Sequence, residues 1–199
     1  MVKVKRKIFL SVISILILIF ALRFFSGILI SNNNYRYNLS LNYEISDIIN
    51  SQNDYYNYKF GLFNIADNGC GVVSLYNILS LDNKPEKFEK IIKKLDRYGA
   101  TAYGRLGTNP IVLIHTLKTY GYKTNIYFNI NNFYENAKTS KYNIMVYINS
   151  KEGWAHYHLF YNYNSLNDTF TFINPSYTKT FDNFLNSITD CYKFLITIN

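Results

Sequence analysis

Cysteine, histidine, proline and tryptophan are all scarce in this chain: two, three, three and one among 199 residues. Two cysteines allow one disulfide at most, so a cystine framework is excluded. Three histidines and two cysteines at no ligand spacing point to no metal and no other cofactor. The glycines occur singly, and no loop resembles one that cradles nucleotide phosphates. Acids are missing from the first 43 residues, whereas Lys3, Lys5, Arg6, Lys7 and Arg23 supply five of the eight net positive charges. The remainder carries only +3, with acids and bases interspersed. No basic stripe with interleaved aromatics remains, which argues against nucleic-acid binding.

What is present begins with a basic start, residues 1–7, followed by fifteen apolar residues, Ile8 to Leu22. Arg23 interrupts, and "FFSGILI" extends the apolar character to Ile30. Residues 8–30 are long enough to cross a bilayer if Arg23 snorkels to an interface. The positive start would stay cytoplasmic and send the rest of the chain outside. A cleaved signal peptide, giving a secreted protein, is the alternative, although no small-x-small cleavage site follows the run. Residues 31–56, rich in Asn and Ser, read as a linker with a short helix near residues 44–49. A compact domain over residues 57–199 is expected to follow.

Within that domain the apolar residues of 70–81 surround the whole helical circumference, so this helix should be buried. "KPEKFEKIIKKLDRYG" is amphipathic, with Phe88, Ile91, Ile92 and Leu95 on one face. "GTNPIVLIHTLKTYGYK" has a capping Thr108 or Asn109, Pro110 in the first turn and Gly121 at the stop. The period then falls to two in five segments: 123–130, 142–149, 155–164, 169–175 and 191–198. Helices first and strands afterwards indicate an α+β domain, its helices layered on a largely antiparallel five-stranded sheet.

The chemistry centres on Cys70, between Gly69 and Gly71 at the start of the buried helix. A free thiol, with a pKa of about 8.5, needs help to ionise, and a helix N-terminus supplies some. The flanking glycines would let a substrate backbone approach. A buried structural cysteine, or a disulfide with Cys191, fits the spacing equally well. His115 reads as a surface residue of the third helix. His156 and His158 share one face of a strand. In a hairpin centred near residue 165 or 166, Asn174 falls opposite one of them. A thiol, an imidazole and an amide that orients the ring form a nucleophile–base–orienter set.

"NGCGVVSLYNIL" (68–79), "GTNPIVLIHTLKTYGY" (107–122), "AHYHLFYNYN" (155–164) and "TFINPS" (171–176), in this order, resemble the papain-like cysteine peptidase superfamily. Within it the chain is most similar to the bacterial branch related to double-glycine-leader peptidase domains of bacteriocin exporters. The resemblance spans about residues 60–175. It implies Cys70 as nucleophile, His156 as general base and acid, with His158 the alternative base, and Asn174 as orienter. It also implies a peptide or protein substrate. The family places a glutamine some six residues before the cysteine to hold the oxyanion. Here position 64 is Asn64, one methylene shorter, and Asn68 is the other oxyanion candidate. That departure leaves room for a different class of protein: a non-catalytic peptide-binding or immunity-type protein on the same scaffold. Oligomeric state is not legible in the sequence.

Overall fold

The computed structural model describes residues 2–99 and 104–199; of the basic segment it describes backbone only, from Val2 on. Among the described residues there are seven α-helices and a six-stranded antiparallel sheet, not a five-stranded one. The first helix, α1 (Val2–Ser40), is the only one with the length and composition of a membrane span or signal sequence among those residues. From Val12 to Phe25 its apolar side chains are exposed around the whole circumference.

The helix does not stop where the apolar run does. It continues ten residues into the segment expected as a linker. Gly27, Ser31, Asn34 and Asn38 are buried at spacings of four, three and four, so they form one helical stripe. That stripe lies against α4 (Phe88–Gly99) and the hairpin β1 (Lys59–Phe60)–β2 (Phe63–Asn64). Asn34 Nδ2 donates to Asp96 at 2.8 Å and to the Gly61 carbonyl at 2.8 Å. Asn38 brackets Lys59, donating to its carbonyl and accepting from its N–H. Asp96 also accepts from Gly61 N–H at 2.9 Å; burial raises its pKa, against these two hydrogen bonds.

Residues 44–49 form no helix either, but an ordered strap. Asn77, fully buried in α3 (Cys70–Leu81), exchanges two hydrogen bonds with the Ile49 backbone at 2.8 and 3.0 Å. Such amide–backbone pairs satisfy groups that would otherwise be buried unpaired. A 3-10 turn, Gln52–Tyr55, then leads to the hairpin, α2 (Ile65–Asn68) and α3.

Helix α3 is buried over its first ten residues, as its all-round apolarity requires. Val72, Val73, Leu75 and Ile78 each contribute about 1.5–3 kcal/mol of burial. With α5 (Pro110–Thr119, capped by Asn109) it covers one face of the sheet, and α4 packs against α1, α3 and α5. The sheet runs β3–β8–β4–β5–β6–β7: β3 Thr124–Tyr127, β4 Tyr142–Asn149, β5 Trp154–Asn164, β6 Thr169–Ile173, β7 Tyr177–Thr180, β8 Tyr192–Ile198. Strand β7 is the one the sequence pattern did not reveal. Two short helices, α6 (Phe133–Thr139) and α7 (Phe181–Asn186), cover the opposite face. Helices therefore flank the sheet on both sides rather than one.

Candidate active site

Cys70 is the first residue of α3, and its neighbours explain how it got there. Gly69 donates to the Ile65 carbonyl at 2.8 Å, closing α2, and α3 starts at once. The two glycines serve packing rather than access. A Cβ on Gly69 would come within 2.6 Å of Ile65, and one on Gly71 within 2.7 Å of Thr108. The space beside both glycine Cα atoms is filled by the protein itself.

Cys70 is only 3% exposed, and its sulfur is enclosed. It faces the backbone N–H groups of Tyr157 and Gly71 and its own, all of which favour a thiolate. Burial outweighs them and pushes the thiol up to about 11. At neutral pH the resting group is therefore a thiol, against the expectation from its helix position. Desolvation of the anion costs more here than a few aligned N–H groups return. Both cysteines are free, Cys191 being half-buried beside the aromatic core, so no disulfide joins them.

Strand β5 brings the remaining chemistry. Its odd-numbered residues Tyr157 and Leu159 enter the same core as Cys70. The Tyr157 hydroxyl donates to the Thr108 carbonyl. The even-numbered His156 and His158 project to the other face, their rings 5.5 Å apart. His156 packs on Tyr147 at 5.4 Å, while His158 is enclosed by Phe172, Tyr177 and Phe184. Both nitrogens of His158 are buried without a hydrogen-bond partner; the Pro175 carbonyl approaches without completing the geometry. Burial drives His156 down to about 4. Burial and the neighbouring His156 drive His158 to about 3. Both rings are neutral at pH 7, and among the described residues neither is hydrogen-bonded to Cys70.

The hairpin register pairs Leu159 with Ile173, so Asn174 comes next, abreast of His158. Its backbone is left-handed, φ 68°, and a cis peptide joins it to Pro175. Its amide engages no imidazole. Asn174 Oδ1 accepts from Gln52 N–H at 2.9 Å, and Nδ2 donates to Gln52 Oε1 at 2.8 Å. Gln52 Nε2 in turn donates to the Ala66 carbonyl at 2.6 Å, within α2. Gln52 is the polar residue that the sequence pattern missed, because it lies in the segment read as a linker. Of the two oxyanion candidates, Asn64 caps α2 by accepting from Asp67 N–H at 2.8 Å, and Asn68 is half-buried one residue before Gly69. His115 is exposed on α5, away from this corner.

Beside Tyr157 lies an apolar cleft of about 270 Å³, walled by Leu106, Thr108, Pro110, Ile148 and Trp154. It separates the loop entering α5 from the β4–β5 turn. Thr108 Oγ1 itself is buried on the Gly71 side without a partner.

No family model matches the chain, and no curated protein does. Solved structures similar to it are peptidase domains of double-glycine-motif ABC transporters. One is the peptidase domain of Streptococcus ComA, a bifunctional transporter involved in quorum sensing. It is 12% identical with a TM-score of 0.48, covering 65% of this chain and 89% of that one. A second is a double glycine motif protease from an AMS/PCAT transporter, in complex with the leader peptide. It is 18% identical with a TM-score of 0.44, covering 65% and 82%. The third is the Streptococcus mutans ComA peptidase domain bound to a small-molecule inhibitor, 15% identical with a TM-score of 0.42, covering 67% and 93%.

Proposed function

We propose that the chain is a membrane-anchored, papain-like cysteine peptidase whose domain lies outside the cytoplasmic membrane. Cys70 is the nucleophile, His156 the base and Asn174 the positioning amide. The observation that carries this reading is the meeting of three distant segments at one corner. The Cys70 sulfur faces the N–H of Tyr157, which lies between the two histidines in β5, and Asn174, just past the end of β6, comes abreast of His158. The apolar cleft beside Tyr157 supports a peptide substrate, since it offers a side-chain pocket at the residue whose N–H faces the thiol.

In this reading Cys70 gives its proton to His156 and the sulfur attacks the peptide carbonyl carbon. The oxyanion is held by backbone N–H at the start of α3. The imidazolium protonates the leaving amine, and water, deprotonated by His156, releases the acyl group from the sulfur. The raised thiol and lowered imidazole pKa values mean that the resting pair is neutral. His156 also projects to the sheet face opposite the Cys70 core, so substrate entry must both turn its ring towards the sulfur and ionise the pair. His156 suits the role better than His158, whose ring is packed against Phe172, Tyr177 and Phe184.

Hydrolysis of a peptide library by the full chain in detergent tests the assignment. Cys70→Ala and His156→Ala are expected to reduce turnover to background with folding intact. Full activity in Cys70→Ala would end the proposal.

A second reading, peptide binding without turnover, is favoured by one observation: Gln52 occupies both polar atoms of the Asn174 amide. A thiol-reactive probe at mildly acidic pH separates the two. With peptide present a catalytic Cys70 becomes reactive and labels faster than Cys191, whereas in a pure binding protein the half-buried Cys191 labels first with or without peptide.

A further inference from the structure

A second surface feature does not include the thiol among its lining residues. A groove of about 620 Å³ runs between α4 and α5. Its walls carry Lys93, Lys94 and Arg97 from α4 and Ile111, Val112 and His115 from α5, with no acid among the lining residues. Ile111 is 75% exposed, an unusual degree for an isoleucine beside three cations.

The position of this groove is set by α1. The apolar run Ile8–Ile30 measures about 34 Å at 1.5 Å per residue, against a hydrocarbon core of about 30 Å. Its last turns are the ones that touch α4. A Cβ on Gly27 would lie 3.7 Å from the Arg97 carbonyl, and Ser31 Oγ donates to the Lys93 carbonyl at 3.4 Å. Lys93 Nζ stacks over the Tyr35 ring at 4.2 Å, one turn further along. Arg97 and Lys93 thus bracket the end of the apolar segment. The Asn34–Asp96 and Asn38–Lys59 hydrogen bonds then fix the domain at that height. A continuous helix with a packed stripe leaves no hinge to lift it away.

We propose that this groove binds an anionic phospholipid of the bilayer that α1 crosses. The phosphate would sit against Lys93, Lys94 and Arg97, and the acyl region against Ile111 and Val112. Lys94 also pairs with Glu86 at 3.6 Å, which leaves the groove's potential positive, since Glu86 is shared with Lys90 as well. A basic cluster at the headgroup level attracts anionic lipid, and each cation there is worth about fivefold in affinity. The inference rests on the reading of α1 as a membrane anchor, and its test separates the two.

The full chain is reconstituted into bilayer nanodiscs of zwitterionic phospholipid, with a trace of spin-labelled anionic or spin-labelled zwitterionic phospholipid. A motionally restricted component is expected for the anionic probe and little for the zwitterionic one. In Lys93→Gln/Lys94→Gln the anionic selectivity is expected to fall more than about tenfold. The charge-matched control Lys118→Gln/Lys123→Gln, outside the groove, should keep it. Equal restriction of both probes, equal loss in the control, or displacement of the anionic probe by inorganic phosphate would each overturn the lipid site while leaving the anchor standing. Failure of the chain to enter the disc at all would overturn both.

Discussion

The two faces of the sheet differ in kind. The face under α3 is aliphatic: Ile144, Val146, Leu159, Ile173 and Ile196 meet the valines and leucines of α3 around Cys70. The opposite face is aromatic: Phe160, Phe170, Phe172, Phe181 and Phe184 form one ring cluster, with Phe172 stacked on Tyr177 at 4.9 Å. Strand β5 belongs to both, and alternation sends Tyr157 to the first and His158 to the second. The lesson is that each face strips water from a titratable group by the same means. The thiol is pushed up and the imidazoles are pushed down, so each stays neutral. Charge can enter this corner only when something else compensates for it.

Acidification should break the aromatic face first. The imidazoles have folded pKa values of about 4 and about 3 against 6.5 for the free side chain. Below pH 6.5 the unfolded chain binds protons that the folded chain refuses. The stability present above 6.5 is therefore lost as pH falls through the folded values. Between pH 7 and 4.5 each histidine removes roughly 2–3 kcal/mol. Chemical denaturation of the full chain in detergent at the two pH values measures the sum. No change would mean that the rings are hydrated.

Truncation ranks next. Phe172→Ala is expected to cost roughly 3–5 kcal/mol, whereas Ile144→Val on the aliphatic face should cost about 1 kcal/mol. A smaller effect follows from replacing the unpartnered imidazole. His158→Phe should stabilise the fold by about 1–2 kcal/mol at pH 7 and remove half of the acid sensitivity, because two orphaned nitrogens disappear. If the proposed peptidase reading holds, it should also leave turnover intact, which separates His158 from His156. The smallest effect belongs to Tyr157→Phe, which deletes one hydrogen bond to the Thr108 carbonyl for about 1 kcal/mol. Its denaturation midpoint would shift slightly, with no change in acid sensitivity.

Much of this arrangement was legible in the residues. The buried helix at 70–81 follows from apolarity on every side, and five strands follow from period-two alternation. The sixth, "YTKT", has no apolar alternation to betray it and forms because β6 presents an open edge. The stripe Gly27–Ser31–Asn34–Asn38 has helical spacing, yet its small polar residues read as a loop by propensity; the partners on α4 and β1 make them helical. Gln52 went unseen for the same reason, since its role exists only once residues 122 positions apart meet.

The sequence alone, then, determined the local features that depend on nearest neighbours: the apolar run, the helix start at Cys70, the shared face of His156 and His158, and a hairpin that brings Asn174 opposite one of them. Only the tertiary structure decided the ionisation of these groups and their partners. A pKa and a hydrogen bond depend on how much water is excluded and which distant group arrives, and neither is encoded in spacing along the chain.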